Sequence, residues 1–266
     1  MNENLKKALV KALGAFFLVS VVIYYVNNGF ALPPAVAHED KEHPKQIAWS
    51  FDGPFGTVDK QSVQRGYKVY KEVCASCHSM DKIAFRNLSE IGFSDKEIKA
   101  IAAEYSYTVI GDDGEPTDRP GVPSDKFKAP FANKQAAAAA NGGAYPPDLS
   151  LITKAREDGP NYVYSLLTGY KQAPEGFDLA GKYYNPYFPG KRLSMAQPLQ
   201  DGQVDYEDGT KNSLEQQAKD VVSFLQWAAE PEMEVRKRMG VKVIAFLAFF
   251  TVFFYFAKVR VWAKVK

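Results

Sequence analysis

Cys74, Cys77 and His78 stand in the run Val73-Cys74-Ala75-Ser76-Cys77-His78. C-x-x-C-H is the attachment pattern of c-type haem. Two cysteines three apart on a helical turn face the same side, so both thiols can add to the two vinyl groups of one porphyrin. The histidine that follows falls under the iron as its proximal ligand, a common way of holding haem iron. The chain has 2 cysteines, both in this motif. None is left for a disulfide or a second metal site. Two other chemistries use such a pair. A zinc site needs two more Cys or His ligands, and the remaining histidines, His38 and His43, lie in a charged stretch far upstream. A thiol redox pair is expected beside a βαβ pattern, which is absent. The residues therefore point to one covalently attached haem c.

An electron carrier usually has a sixth iron ligand, and methionine opposite histidine raises the reduction potential. Past the leader the methionines are Met80, Met195, Met233 and Met239. Met80 is two residues from His78 and cannot easily reach the opposite face. Met233 and Met239 adjoin a long apolar run. Met195 sits in Arg192-Leu193-Ser194-Met195-Ala196-Gln197-Pro198, inside a segment rich in Pro, Gly and Tyr. It is the preferred candidate, with His38 and His43 as alternatives near the start of the domain.

The elements that must hold these groups are mostly helical. A helix is expected from Lys60 to Val73, because Val63, Tyr67, Tyr70, Cys74 and Cys77 repeat at 4, 3, 4, 3. Gly66 on it leaves room for a second helix to cross closely. Ser94 and Glu97 form a capping box that starts a helix to about Tyr105. Gly111 to Pro130 reads as loop. The run Ala136 to Ala140 reads as helix, ending at Asn141-Gly142-Gly143. Pro160 is expected to open another helix from the N1 position, which Gly169 stops after Leu167. From Tyr170 to Gly209 periodicity is weak, which is unusual in a compact domain unless the segment has a job such as wrapping a cofactor. Ser213 and Gln216 form a second capping box. Its helix places Leu214, Ala218, Val221, Leu225 and Ala228 on one stripe until Pro231 interrupts it.

Both ends of the chain suggest export and a membrane. Lys6, Lys7 and Lys11, an apolar core from Ala12 to Val26 and the small-x-small site Ala35-Val36-Ala37 read as a signal peptide cleaved after Ala37. Val241 to Ala257, with six Phe and basic residues on both flanks, reads as a membrane span. The formal net charge of +2 hides an uneven layout. Between His38 and Glu230 there are 22 Lys and Arg against 28 Asp and Glu. An acidic exported face either steers a basic partner or simply keeps the domain soluble.

The chain resembles the cytochrome c1 family of bacterial ubiquinol–cytochrome c oxidoreductase (bc1) complexes. The resemblance rests on Gln64 to Tyr70 leading into Cys74, on Ala144-Tyr145-Pro146-Pro147-Asp148-Leu149-Ser150, and on Ser165 to Tyr170. Asn185 to Gly190 and Phe224 to Pro231 carry it further, and it covers nearly all of the chain past the leader. It implies thioether links at Cys74 and Cys77 and axial ligands at His78 and Met195. It also implies that Asn141 and Pro147 line the haem, and that Arg156 and Tyr162 hold a propionate. Some members carry an additional disulfide, for which this chain has no cysteines.

The implied fold is mostly α: a cytochrome c-type haem domain enlarged by long loops, plus one C-terminal transmembrane helix. The expected layout is a signal peptide (1–37), a periplasmic cytochrome c domain (38–230), a membrane-proximal linker (231–240), a transmembrane helix (241–257) and a cytoplasmic basic tail (258–266). The implied partners are cytochrome b, the Rieske iron–sulfur subunit, a soluble or tethered cytochrome c, and membrane lipid in the bacterial inner membrane. Nucleic acid is not among them. Three other readings compete: a membrane-tethered monohaem cytochrome serving a terminal oxidase, a peroxidase-like protein with an open distal side, and an anchor whose haem only stabilises the fold.

Overall fold

Helix α1 (Lys60–Glu72) starts where the Asp59 carboxylate accepts from the Gln61 and Ser62 amides, pairing two N–H groups that a helix start leaves open. Its apolar stripe of Val63, Tyr67 and Tyr70 is buried. The structure is a computed structural model that describes residues 41–263. The signal peptide, its cleavage site, His38 and the last three residues of the basic tail lie outside the described residues.

The partner of α1 is the helix after Ser213. A Cβ at Gly66 would lie 2.0 Å from the Asp220 carbonyl oxygen and 2.8 Å from Phe224 Cβ. Only glycine permits so close a backbone approach, and the crossing expected at Gly66 is where the structure has it. This partner helix runs Leu214–Ala229. Ala218, Val221, Leu225 and Ala228 of the expected stripe are buried. Ser213 accepts from the Gln216 amide, but the box is not closed. Gln216 Nε2 instead donates to Asp220 Oδ1 at 3.1 Å, one turn further along the helix, so the side chain does not reach back to accept the Ser213 N–H.

Asp220 is fully buried at the crossing. It also accepts from Ser62 Oγ at 2.7 Å and from Arg65 Nε and Nη2 at 2.9 and 3.1 Å. Arg65 reaches on to Asp208 at 2.7 Å. A buried carboxylate survives only with such compensation. The Asp220 and Asp208 carboxylates hold the guanidinium pKa above its ordinary value, against the effect of burial.

The insertion after the haem motif packs on α1 through aromatic rings. Phe127 lies 5.9 Å from Tyr67, 6.0 Å from Tyr70 and 5.0 Å from Phe85, centroid to centroid. Helix α2 (Asp95–Ala103) opens with the full Ser94–Glu97 capping box. The stretch after it departs from the loop expected over 111–130. β1 (Ser106–Ile110) and β2 (Pro116–Pro120) form an antiparallel hairpin, Ser106 opposite Pro120 and Ile110 opposite Pro116. The Pro residues at both ends of β2 are tolerated because the sheet has only two strands, each with an open edge.

Helix α3 (Lys134–Ala140) is capped by Asn133, and α4 (Gly159–Leu167) carries Pro160 in its first turn. The segment from Tyr170 to Gly209 is largely irregular. Within it β3 (Tyr183–Tyr184) pairs with β4 (Arg192–Leu193). With the helix Leu214–Ala229 numbered α5, the last element is α6 (Met233–Trp262), 30 residues with a mean hydropathy of 2.0 in its most apolar stretch. At 1.5 Å per residue it is about 45 Å long, enough by length and composition to cross a membrane. Most of the stretch 231–240 is the first part of this helix. That part is tied to the domain: Lys237 Nζ donates to the carbonyls of Phe51 and Gly56 at 2.6 and 3.0 Å, and Val58 N donates to Glu234 at 2.9 Å.

Candidate haem site

The motif leaves α1 as a tight 3-10 turn, Cys74–Ser76. The amides of Cys77 and His78 both donate to the Cys74 carbonyl, at 3.1 and 2.9 Å. In such a turn residues i and i+3 lie one above the other, so the two half-buried sulfurs share a side. They are not bonded to each other. Burial pushes the Cys74 thiol up to about 12. It is therefore a protonated thiol, unlike the low-pKa thiolate of a redox pair.

His78 is half-buried, and its Nδ1 donates to the Pro147 carbonyl at 2.7 Å. With Nδ1 engaged, Nε2 is the nitrogen that a metal can take. Burial lowers the imidazole pKa, outweighing the Pro147 bond and the Asp148 charge that raise it. The ring is thus held in the neutral form that ligates. Two unlinked thiols one turn apart beside such an imidazole fit a covalently held haem.

Sequence reasoning did not find what fixes Pro147. Asp148 Oδ2 accepts from Ser79 Oγ at 2.8 Å and from the Asp81 amide at 2.9 Å. Its Oδ1 accepts from the Ser150 amide at 2.9 Å. Leu149 N donates to Ser79 O at 2.9 Å, and Lys82 N donates to Ser150 Oγ at 3.1 Å. The run Pro147 to Ser150 is thereby stitched along the chain that leaves His78. The only signal available was the motif Pro-Pro-Asp-Leu-Ser itself.

Met195 is half-buried against the hydrophobic core. Its carbonyl, with that of Ala196, accepts from Tyr170 at 3.0 and 3.2 Å. Of the other sixth-ligand candidates, Met80 and Met233 are buried in the core, while Met239 and His43 are exposed. Asn141 ends α3, its side-chain amide donating to Ala137 O at 2.8 Å. Arg156 is exposed and its Nη1 donates to Ala155 O at 3.0 Å. Tyr162 is buried on α4. The structure therefore joins His78 directly to Pro147, whereas Asn141 and Arg156 bond to their own neighbours. A cavity of about 260 Å³ among Tyr67, Tyr70, Tyr105 and Phe127 meets the motif only at Ala75. It takes in neither sulfur, nor His78, nor Met195.

Residues 49–265 match the model of the Cytochrome C1 family. The chain is 48% identical over 236 residues to the cytochrome c1 of Rhodospirillum rubrum, covering 82% of this chain and 87% of that protein. It is 46% identical over 282 residues to a cytochrome b/c1 of Bradyrhizobium diazoefficiens, with 96% of this chain aligned. The chain spans 41% of the length of that relative. To a mitochondrial cytochrome c1 heme protein of Arabidopsis thaliana it is 53% identical over 213 residues, 79% of this chain and 68% of that protein.

Proposed function

The chain belongs to the cytochrome c1 family, and from that premise we propose that it is the membrane-anchored haem subunit of a bacterial bc1 complex, taking one electron from a Rieske iron–sulfur protein and passing it to a cytochrome c. The observation that carries this reading is the 2.7 Å bond from His78 Nδ1 to Pro147. It fixes the tautomer and the ring plane of a proximal ligand.

In this reading Cys74 and Cys77 hold the haem. Their thiols would link it covalently, and His78 and Met195 would bind its iron. Asn141 and Pro147 line the cofactor, and Arg156 and Tyr162 hold a propionate. The bound haem supplies a single iron that gains and loses one electron. No bond is made or broken on a substrate, so the chain contributes position, potential and exclusion of other ligands. Pro147 and Asp148 keep His78 from turning. With Met195 bound, the iron would be closed to small molecules.

Cytochrome b is proposed as a neighbour because one relative is named cytochrome b/c1. Helix α6 anchors the domain in the inner membrane, with the haem domain on the periplasmic side and the basic tail inside. The tied root of α6 supports a domain held at a fixed stance above the lipid. The leader (1–37) is removed on export.

The test is reduction of this haem by a quinol in native membranes, followed in the c-type absorption band, with and without an inhibitor of quinol oxidation. Rapid, inhibitor-sensitive reduction is expected. Reduction that ignores the inhibitor would detach the protein from quinol oxidation and favour a separate membrane-bound carrier.

A further inference from the structure

Met195 lies just beyond a two-residue strand, in a segment with no α-helix to hold it. One side chain takes that role. Tyr170 Oη is 3.0 Å from the Met195 carbonyl and 3.2 Å from the next one, Ala196. A phenol has one proton to give, here shared between successive carbonyls.

Tyr170 is itself firmly placed. It follows α4, whose end is secured by Thr168 Oγ1 donating to Tyr164 O at 3.0 Å and by Asn185 Nδ2 donating to Leu166 O at 2.8 Å. At Gly169 a Cβ would meet Tyr187 Cδ2 at 2.4 Å and Ser165 O at 2.5 Å, so the chain turns where no side chain fits. On the other side of Met195, Leu199 is buried. Gln217 of α5 donates to the Gln200 carbonyl at 2.8 Å. Met195 is thus suspended between an anchor just after α4 and an anchor on α5.

We propose that Tyr170 is a positioning residue that fixes the backbone of Met195 and so sets how firmly its thioether holds the sixth coordination position. This rests on the reading of Met195 as the axial ligand. Tyr170 does not touch the cofactor in this account and acts only through the carbonyls of Met195 and Ala196.

The experiment uses the full chain, loaded with haem, in its complex. Tyr170→Phe keeps the ring and removes the donor. The far-red charge-transfer band of methionine-ligated ferric haem should weaken and the reduction potential should fall. Carbon monoxide uptake by the reduced protein should rise by roughly fivefold, the scale of one lost hydrogen bond. Haem content should stay at the level of the unaltered protein. Unchanged band, potential and uptake would overturn the inference.

Met195→Leu is measured alongside. If M195L keeps the band and excludes carbon monoxide, the reading of Met195 as ligand fails. If M195L loses them while Y170F does not, that reading stands and the role of Tyr170 fails. Should Y170F not accumulate with haem, 4-fluorophenylalanine and 4-aminophenylalanine are placed at position 170. The amino form retains a donor and should restore the band, whereas the fluoro form should not. Equal behaviour of the two would overturn the proposal.

Discussion

The Pro147 carbonyl accepts the Nδ1 proton of His78 across 69 residues of chain, at 2.7 Å. The bond is only as firm as the turn that presents the carbonyl, and Asp148 makes that turn. Asp148→Asn keeps the shape but sets an amide NH2 where an oxygen accepted N–H or O–H groups. A loss of about 1–3 kcal/mol is expected from groups left unpaired. The reduction potential should fall as the imidazole loosens. Denaturant unfolding and spectroelectrochemistry of the haem-loaded protein check both. Burial alone would raise the Asp148 pKa, but hydrogen bonds from Ser150, Asp81 and Ser79 outweigh it and hold it below the ordinary value. Its contribution is therefore full above about pH 4 and lost as pH falls further. D148N should flatten that acid limb.

At the helix crossing, Gly66→Ala places a methyl group 2.0 Å from the Asp220 carbonyl, which is backbone and cannot swing aside. The helices must separate, and the Tyr67, Tyr70 and Phe224 rings with them. Overpacking costs about 1–3 kcal/mol in forgiving cores, and here the contact is with main chain. G66A should lower the unfolding midpoint sharply and cut haem incorporation, measured as haem per polypeptide.

Gly66 was readable because its stripe and its lack of a side chain are local facts. The same holds for the C-x-x-C-H motif, the Ser94 cap and the apolar run of α6. The hairpin at 106–120 was hidden because its turn and flanking prolines have the composition of a loop. Gln216 donates to Asp220 one turn along the same helix, and that Asp220 is a buried carboxylate able to hold it is known only once α5 meets α1. Asp148, Tyr170 and Gln217 act on chain 67, 25 and 17 residues away, and no local pattern carries such pairings. Asn141, Arg156 and Tyr162 were never read from pattern but from family resemblance. Their roles stay with that resemblance.

Arg65 is the only cation that hydrogen-bonds the buried Asp220 carboxylate among the described residues. Arg65→Met should cost about 3–5 kcal/mol, the usual loss when one partner of a buried pair is removed. R65M combined with Asp220→Asn should recover part of that, because no lone charge stays buried. Arg65→Lys should fall between, since an ammonium cannot make the forked contact. Urea unfolding of the parent, R65M, Asp220→Asn alone and the double variant gives the cycle, with Arg65→Lys measured beside it. Asp208, which bonds the Thr210 amide and Arg65, is pulled down to about 2. Its share is present above about pH 4 and fades toward pH 2.

Two acidic clusters of the domain, 112–118 and 201–208, differ in how far their charges are engaged. In the 201–208 patch, Asp208 pairs with Arg65, Glu207 lies 3.3 Å from Lys68, and Asp201 accepts from the Leu214 amide at 2.7 Å. At the tip of the β1–β2 hairpin, Asp112, Asp113 and Glu115 are exposed, and among the described residues the Asp113 side chain bonds only the Glu115 amide. Long-range attraction should therefore come mainly from the hairpin. Reversing Asp112, Asp113 and Glu115 to Lys should slow cytochrome c reduction by about tenfold at low ionic strength, within the range electrostatic steering supplies. The difference should shrink as salt shortens the screening length to about 10 Å near 0.1 M. Unfolding midpoints should stay put. Asp208→Lys should do the reverse, lowering stability with little effect on the salt dependence. Stopped-flow rates across a salt series separate the two patches. An unchanged salt slope in the hairpin variant would remove this surface from the encounter.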